Sequence, residues 1–234
     1  MITIQDSICI SVTDNEIKSV MEKARTQLFI AKRDNLRNRH ANIQFDCILR
    51  GYIGEFAMTK WMNEQGVFFD KTNYRVDGEN IDVDFLYRGY NIELKTSLVP
   101  DVDFTIEKAV EYRDIKLIKR QDGIDNLKGD VHLQIFFNQR RMAKDEWLAS
   151  RIINIEEAGI DEIFDKMLAR CYRNTTYFVA WIDKFSLIEN INKLPNSDKT
   201  WSFKDSKRQF WSCKIVNSKK PVDLKNFLKC ILAK

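Results

Sequence analysis

The sequence predicts an α/β domain with a mixed central β-sheet flanked by helices. Three observations carry that reading. An amphipathic helix opens the chain, and short segments rich in β-branched and aromatic residues then alternate with helical stretches. In addition, 44% of the 234 residues are hydrophobic, enough to bury a core.

The first helix is signalled by Thr13-Asp14-Asn15-Glu16, which reads as a capping box. Ile17, Val20, Met21, Ala24, Leu28 and Ala31 then form one apolar stripe. Its basic end, Lys32-Arg33 through Arg37, Arg39 and His40, could touch phosphate, although cations suit a helix C-terminus for dipole reasons alone. A second helix is expected over about 46–65, ending near Gly66. Strands are expected at 67–69, 81–87, 90–96, 131–137 and 176–182, with helices over 105–118 and 160–172. Residues 201–203 and 209–216 read as a basic hairpin, followed by a helix over 223–232. No repeat or Pro/Gly-rich linker divides the chain. It reads as a single domain over 1–234, with a core at about 46–182 and a basic extension at about 199–234.

No segment reaches the roughly 18 consecutive apolar residues of a membrane span. The first ten residues lack a basic n-region and a cleavage site, so no secretory leader is expected. Five scattered cysteines without a CxxC pair suit free thiols in a reducing cytoplasm. Cys47, Cys171 and Cys230, beside apolar neighbours, read as small core residues. The net charge of +4 is unevenly spread. From Lys199 onward ten basic residues face two acidic ones, a net +8 that leaves −4 for the preceding 198. A localised basic surface suits phosphate binding, and Lys204, Lys207, Arg208 and Lys214 are its candidate contacts. A solvated lysine-rich face would look the same.

The chemistry centres on Ile81-Asp82-Val83-Asp84-Phe85-Leu86-Tyr87, then Arg88-Gly89, then Tyr90-Asn91-Ile92-Glu93-Leu94-Lys95-Thr96. Gly89 supplies the positive φ of a tight hairpin. With Arg88-Gly89 as the loop, Asp84 opposes Glu93 and Asp82 opposes Lys95 on one face, while Val83, Phe85, Ile92 and Leu94 form an apolar face. A slip of one residue would drive the charges into the core, so the pattern implies the register. Opposed carboxylates repel unless a positive group lies between them, and a hard divalent cation is the natural candidate. A charge-decorated hairpin surface, with Lys95 offsetting the acids, is the alternative. Upstream, Arg50-Gly51-Tyr52-Ile53-Gly54-Glu55-Phe56-Ala57 places Glu55 on a stripe with Ile48, Tyr52, Met58 and Met62. A carboxylate there is costly unless paired or metal-bound, or unless it reaches out at the stripe's edge. Gly51 and Gly54 weaken a helix, which points to close packing of its backbone.

Gly-Glu-Phe-Ala on a helix, Ile-Asp-Val-Asp-Phe, then Ile-Glu-Leu-Lys-Thr-Ser resemble the PD-(D/E)XK nuclease superfamily, with its restriction-endonuclease-like fold, over roughly residues 50–97. The resemblance implies a metal-dependent phosphodiesterase. Asp84, Glu93 and the main-chain carbonyl of Leu94 would hold Mg²⁺, with Mn²⁺ able to substitute, and Glu55 would be an outer or second-metal ligand. Lys95 would act on the attacking water or on the phosphate. No proline precedes the aspartate, and Asp82 and Asp84 compete for its role; spacing to Glu93 favours Asp84. The resemblance further implies double-stranded DNA as substrate and a homodimer, first of all a type II restriction endonuclease. Next come a resolvase, a repair nickase, and a phage-defence or mobile-element nuclease. The rival from another class is a non-catalytic DNA-binding module.

Lesser signals stay two-sided. Gln134, on the same strand face as His132, could enter the cleft or be a satisfied core group. Arg140 and Arg141 could contact phosphate or sit in a solvated loop. Trp201, Phe203, Phe210 and Trp211 among lysines could stack on bases or anchor a hairpin.

Overall fold

The computed structural model describes residues 1–30, 39–70, 83–119, 123–203 and 208–230. Asp82, Lys204, Lys207 and the basic run 32–37 lie outside these residues. Five strands form the main sheet: β1 (Ile8–Cys9), β2 (Phe85–Tyr87), β3 (Tyr90–Val99), β5 (Val131–Arg140) and β6 (Thr176–Asp183), in the order β1-β6-β5-β3-β2. Only β3 and β5 run parallel; every other pair is antiparallel, so the sheet is mixed as expected. A second, three-stranded antiparallel sheet joins β4 (Leu117–Ile118) and β7 (Thr200–Ser202) on either side of β8 (Gln209–Trp211).

Alternation along the strands divides the core between two faces. On one face, Ile92, Leu94, Val131, Leu133, Ile135 and Phe137 meet the helices α1 (Asp14–Ile30), α2 (Ala41–Glu64), α4 (Arg141–Ala149), α5 (Ile160–Lys166) and α7 (Leu224–Cys230). On the other, Phe136, Ala180 and Ile182 meet α3 (Ile106–Tyr112), α6 (Lys184–Asn192) and the small sheet. The expected capping box forms: Thr13 N–H donates to Glu16 Oε2 at 2.7 Å and Glu16 N–H to Thr13 Oγ1 at 3.2 Å. Ile17, Val20, Met21 and Ala24 are buried in the first core, as their spacing required.

Near its turn the hairpin has the expected register, with Phe85 opposite Ile92, Leu86 opposite Asn91 and Tyr87 opposite Tyr90. The strand expected from 81 begins only at Phe85, so the expected rung of Asp84 opposite Glu93 is not part of the ladder, and Asp82 opposite Lys95 lies outside the described residues. Arg88 (φ 50°) and Gly89 (φ 83°) both take the positive φ that a two-residue primed turn demands. Close packing of α2 is found at Gly54: a Cβ there would overlap Thr96 Cγ2 and lie 3.5 Å from Leu94 Cδ2, both on β3.

Several expectations are corrected. The second helix starts at Ala41, because His40 caps it by accepting the Asn42 N–H (3.3 Å) on Nδ1. Residues 67–69 form no strand; the segment makes one bridge, Asp70 to Leu86. The helix expected over 105–118 ends at Tyr112, where Arg113 turns the chain by donating to the buried Asp103 at 2.6 and 2.5 Å. The helix over 160–172 breaks at Leu168, which is left-handed (φ 49°). Arg140 and Arg141 are not in a loop: Arg140 ends β5 and Arg141 begins α4. The strand expected over 209–216 ends at Trp211 and gives way to a short turn, Ile215–Asn217. All five cysteines are free as expected, but Cys171 and Cys230 are exposed, Cys47 is half-buried and Cys213 is the buried one. Among the described residues, no helix is long and apolar enough to cross a membrane.

Candidate functional site

Pairing between β2 and β3 stops at Phe85–Ile92, and the residues beyond that rung build the site. Asp84 N–H donates to Ile92 O at 3.0 Å, the carbonyl of the residue that Phe85 faces. Its carboxylate then turns along β3, and Oδ2 accepts the Leu94 N–H at 2.7 Å. Asp84 thus satisfies by side chain the edge amide that one more ladder rung would have satisfied by backbone. Because N–H and C=O of one strand residue point to the same side, the Leu94 carbonyl faces this edge too.

Glu93 and Lys95 project from the face that meets α3 and α6. Glu93 is 4% exposed, yet it is an anion. Its Oε1 pairs with the Lys95 ammonium, and its Oε2 accepts a hydrogen bond from His132 Nδ1 at 2.8 Å. Burial alone would push the Glu93 carboxyl up. The Lys95 charge and the His132 hydrogen bond outweigh it and hold the carboxyl at about 2. His132 is the register partner of Glu93 across the parallel β3–β5 pair and is itself buried, at 1% exposure. Its Nε2 has no hydrogen-bond partner among the described residues. The chain passes so close above this pair that a Cβ on Gly129 would lie 2.7 Å from His132 Cε1 and 3.2 Å from Glu93 Cβ. Only glycine seals the dyad in this way.

Two register steps on, and on the same face, Lys95 pairs with Gln134. Gln134 is fully buried and satisfied: its Nε2 donates to Lys95 O (3.1 Å), Ser97 Oγ (3.2 Å) and Ile135 O (2.8 Å), and its Oε1 accepts Lys116 N–H (3.3 Å). Of its two readings, the core polar group is the one found. Glu55 is half-buried on α2, immediately after the close contact between Gly54 and Thr96.

Of the residues read from the sequence, Asp84, Glu93, Leu94 and Lys95 are therefore together at the free end of the hairpin ladder, and the Glu55 turn of α2 packs on the same strand. Asp82 lies outside the described residues. Among those described, no group of three or more Asp, Glu, His or Cys side chains gathers to hold a metal ion. The donors at hand are the Asp84 and Glu93 carboxylates and the Leu94 carbonyl. That set fits Mg²⁺, which keeps several waters and is commonly held by one or two carboxylates plus substrate phosphate.

The basic candidates are dispersed. Lys214 donates to Asp114 Oδ2 at 2.8 Å and Tyr112 O at 3.1 Å, Lys219 to Asp183 at 2.5 Å, and Lys220 pairs with Asp6 at 2.9 Å. Acids from elsewhere in the chain thus offset part of the +8 segment. Arg208 is exposed, and Arg140 and Arg141 are about half exposed, 3.9 Å from Asp101 and 3.8 Å from Asp145. Trp201 stacks on Phe210 at 4.5 Å with Phe203 edge-on at 5.1 Å, so these aromatics anchor the small sheet.

Two features escaped the sequence reading. The dyad of Glu93 and His132 needed the parallel β3–β5 register, which no local pattern encodes. A buried network around Asp46 joins residues up to 126 positions apart. A scan of family models, a search of curated proteins and a search of solved structures found no match.

Proposed function

We propose that this protein is a divalent-cation-dependent nuclease of restriction-endonuclease-like fold that hydrolyses phosphodiester bonds of double-stranded DNA. The observation that carries the reading is the grouping of Asp84, Glu93 and Lys95 at the free end of one hairpin ladder. There, an anionic carboxylate and its lysine stand on β3 beside a second carboxylate that lines its edge. Mg²⁺, or Mn²⁺ in its place, would be held by Asp84, Glu93 and the Leu94 carbonyl, with Glu55 as an outer ligand. When bound, the ion supplies charge for the phosphoryl oxygen and a more acidic water.

The chain's own residues have separate tasks. His132 fixes the Glu93 carboxylate by taking Oε2, which leaves Oε1 toward Lys95. Glu93 holds the Lys95 ammonium by its ion pair, so that it would be aimed at a phosphate oxygen when substrate arrives. Asp84, half-buried at the β3 edge, would present its remaining carboxylate capacity to the ion. Basic residues outside the site, Arg208, Arg140 and Arg141 with Lys204 and Lys207, would contact backbone phosphates.

Among nucleases of this type, a homodimeric type II restriction endonuclease fits best, since two-fold proteins mirror two-fold DNA sites. Incubation with supercoiled plasmid, with and without Mg²⁺, tests the reading. Discrete metal-dependent bands support a restriction enzyme, random nicking supports a repair or defence nuclease, and metal-independent binding without cleavage supports a DNA-binding module.

A further inference from the structure

Phe104 has a left-handed backbone (φ 61°), a sterically costly conformation for a bulky residue. Thr105 N–H donates to Asp103 O across it at 2.7 Å, the i to i+2 bond of a γ-turn, and at positive φ that turn is the strained form. Among the described residues, two other non-glycine residues have positive φ. Arg88 makes the hairpin turn, and Leu168 is half-buried where a helix breaks. Phe104 gains no such return from the fold, because its ring is 62% exposed. Strain that yields no burial points to a use for the ring outside the chain.

The loop holds the ring rigidly. Asp103 is buried and bound twice by Arg113, at 2.6 and 2.5 Å, and Thr105 caps α3 by accepting the Lys108 N–H on Oγ1 at 3.4 Å. Asp101 accepts the Met142 N–H at 3.0 Å, which ties the loop to the start of α4. The Arg140 guanidinium lies over the Phe104 ring, 5.0 Å from its centre. Val102 in the same loop is 75% exposed and Met142 is 58% exposed. Both acids of the loop are spent on Arg113 and on Met142 N–H, so Arg140 and Arg141, each about half exposed, are the charges beside the ring.

Three apolar side chains fall well short of the roughly 800 Å² per partner that a stable protein interface buries. A rigid apolar prong between guanidinium groups suits nucleic acid instead: the ring enters the base stack and the cations meet phosphates. We propose that Phe104 is a wedge that inserts between adjacent base pairs of double-stranded DNA, with Arg140 and Arg141 on the flanking phosphates. The wedge stands on the strained, exposed ring and its arginine; its place beside a cut strand rests on the nuclease reading. Val99, the register partner of Arg140, lies beyond Lys95 on β3, roughly 13 Å along the strand. The opened step would thus lie on the order of four base-pair rises from the phosphate that meets Lys95.

The test uses the whole protein without metal and a mixed-sequence duplex carrying 2-aminopurine, whose fluorescence rises when it is unstacked. Wild type should bind and raise the fluorescence. F104A should bind about tenfold more weakly, leave the fluorescence low and keep the salt slope of wild type, because a lost stack releases no counterions. F104W, which keeps an aromatic ring, should restore affinity and signal. F104A should melt no lower than wild type, since it uncovers no core. Affinity and fluorescence unchanged in F104A overturn the wedge. So does a dimer of wild type that F104A turns into monomer without DNA, which would make the patch an interface between copies. Plasmid cleavage with Mg²⁺ separates the two readings. If Phe104 unstacks the duplex but wild type never cuts, the wedge stands and the nuclease reading fails. If wild type and F104A bind, unstack and cut alike, the wedge fails and the nuclease stands.

Discussion

Glu93 and His132 are register partners across the parallel β3–β5 pair, and their side chains meet with Nδ1 2.8 Å from Oε2 inside a face closed over by Gly129. Glu93 thereby remains ionised although buried, which fixes how its contribution to stability depends on pH. Its folded pKa, about 2, lies below the ordinary 4.5, so its stabilisation is fully present above about pH 4.5 and is lost as pH falls toward 2. The effect is on the order of 3 kcal/mol by linkage. Urea unfolding of wild type from pH 6 to pH 2.5 should show that loss, and Glu93→Gln should flatten it. Equal pH profiles for the two would remove the dyad from the account.

Gly54 is the contact that seats α2 on the site strand. A methyl at that position would overlap Thr96 Cγ2, so Gly54→Ala should destabilise by about 1–3 kcal/mol. Thr96→Ser removes the opposing methyl and should recover most of that loss in the double variant. A strictly additive double-mutant cycle would show that the close approach is not what the glycine serves.

Much of this arrangement was legible in the chain itself, for identifiable reasons. The hairpin register could be read because alternation of charged and apolar residues admits one pairing, and Gly89 marks the turn. The packing role of Gly54 could be read because glycine inside a helix needs a reason. The α6 helix was missed although Asp183 caps it by accepting Ser186 N–H at 2.9 Å, a local signal present in the sequence. The dyad partner of Glu93, the Asp46 network and the ion pairs that offset the basic C-terminal segment were not legible. Each joins residues far apart in the chain: the β3–β5 pairing makes the dyad, the approach of α4 and Tyr172 to α2 makes the Asp46 network, and the bridges Asp114–Lys214 and Trp181–Lys219 bring acids to the C-terminal lysines.

Asp46 holds Arg50, Lys144 and Tyr172 in place. Burial pushes its carboxyl up, but the Lys144 and Arg50 charges outweigh burial and keep it below the usual range. Removing one member of a buried ionic cluster leaves the others uncompensated. Asp46→Ala should therefore destabilise by roughly 3–5 kcal/mol, measured by thermal or urea unfolding. A loss below about 1 kcal/mol would mean that water reaches the cluster and screens it.

Ion pairing should limit phosphate contacts from the C-terminal segment. Lys214→Ala should lower the slope of log K against log salt for DNA binding by well under one unit, since that ammonium lies 2.8 Å from Asp114. A fall of a full unit would show that DNA displaces the acid from its lysine.

The central claim is that Asp84, Glu93 and Lys95 act together on a phosphodiester. Its most direct measurement is cleavage of supercoiled plasmid by wild type, Asp84→Ala, Glu93→Ala and Lys95→Ala, each with Mg²⁺ and with chelator. Wild type should cut only with Mg²⁺, and each substitution should reduce cleavage by about a hundredfold or more. Lys95→Ala should keep the Mg²⁺-induced rise in melting temperature and Asp84→Ala should lose it, because of these two only Asp84 is a proposed ligand of the ion. Wild-type cleavage by Glu93→Ala, or cleavage that persists in chelator, would contradict the account.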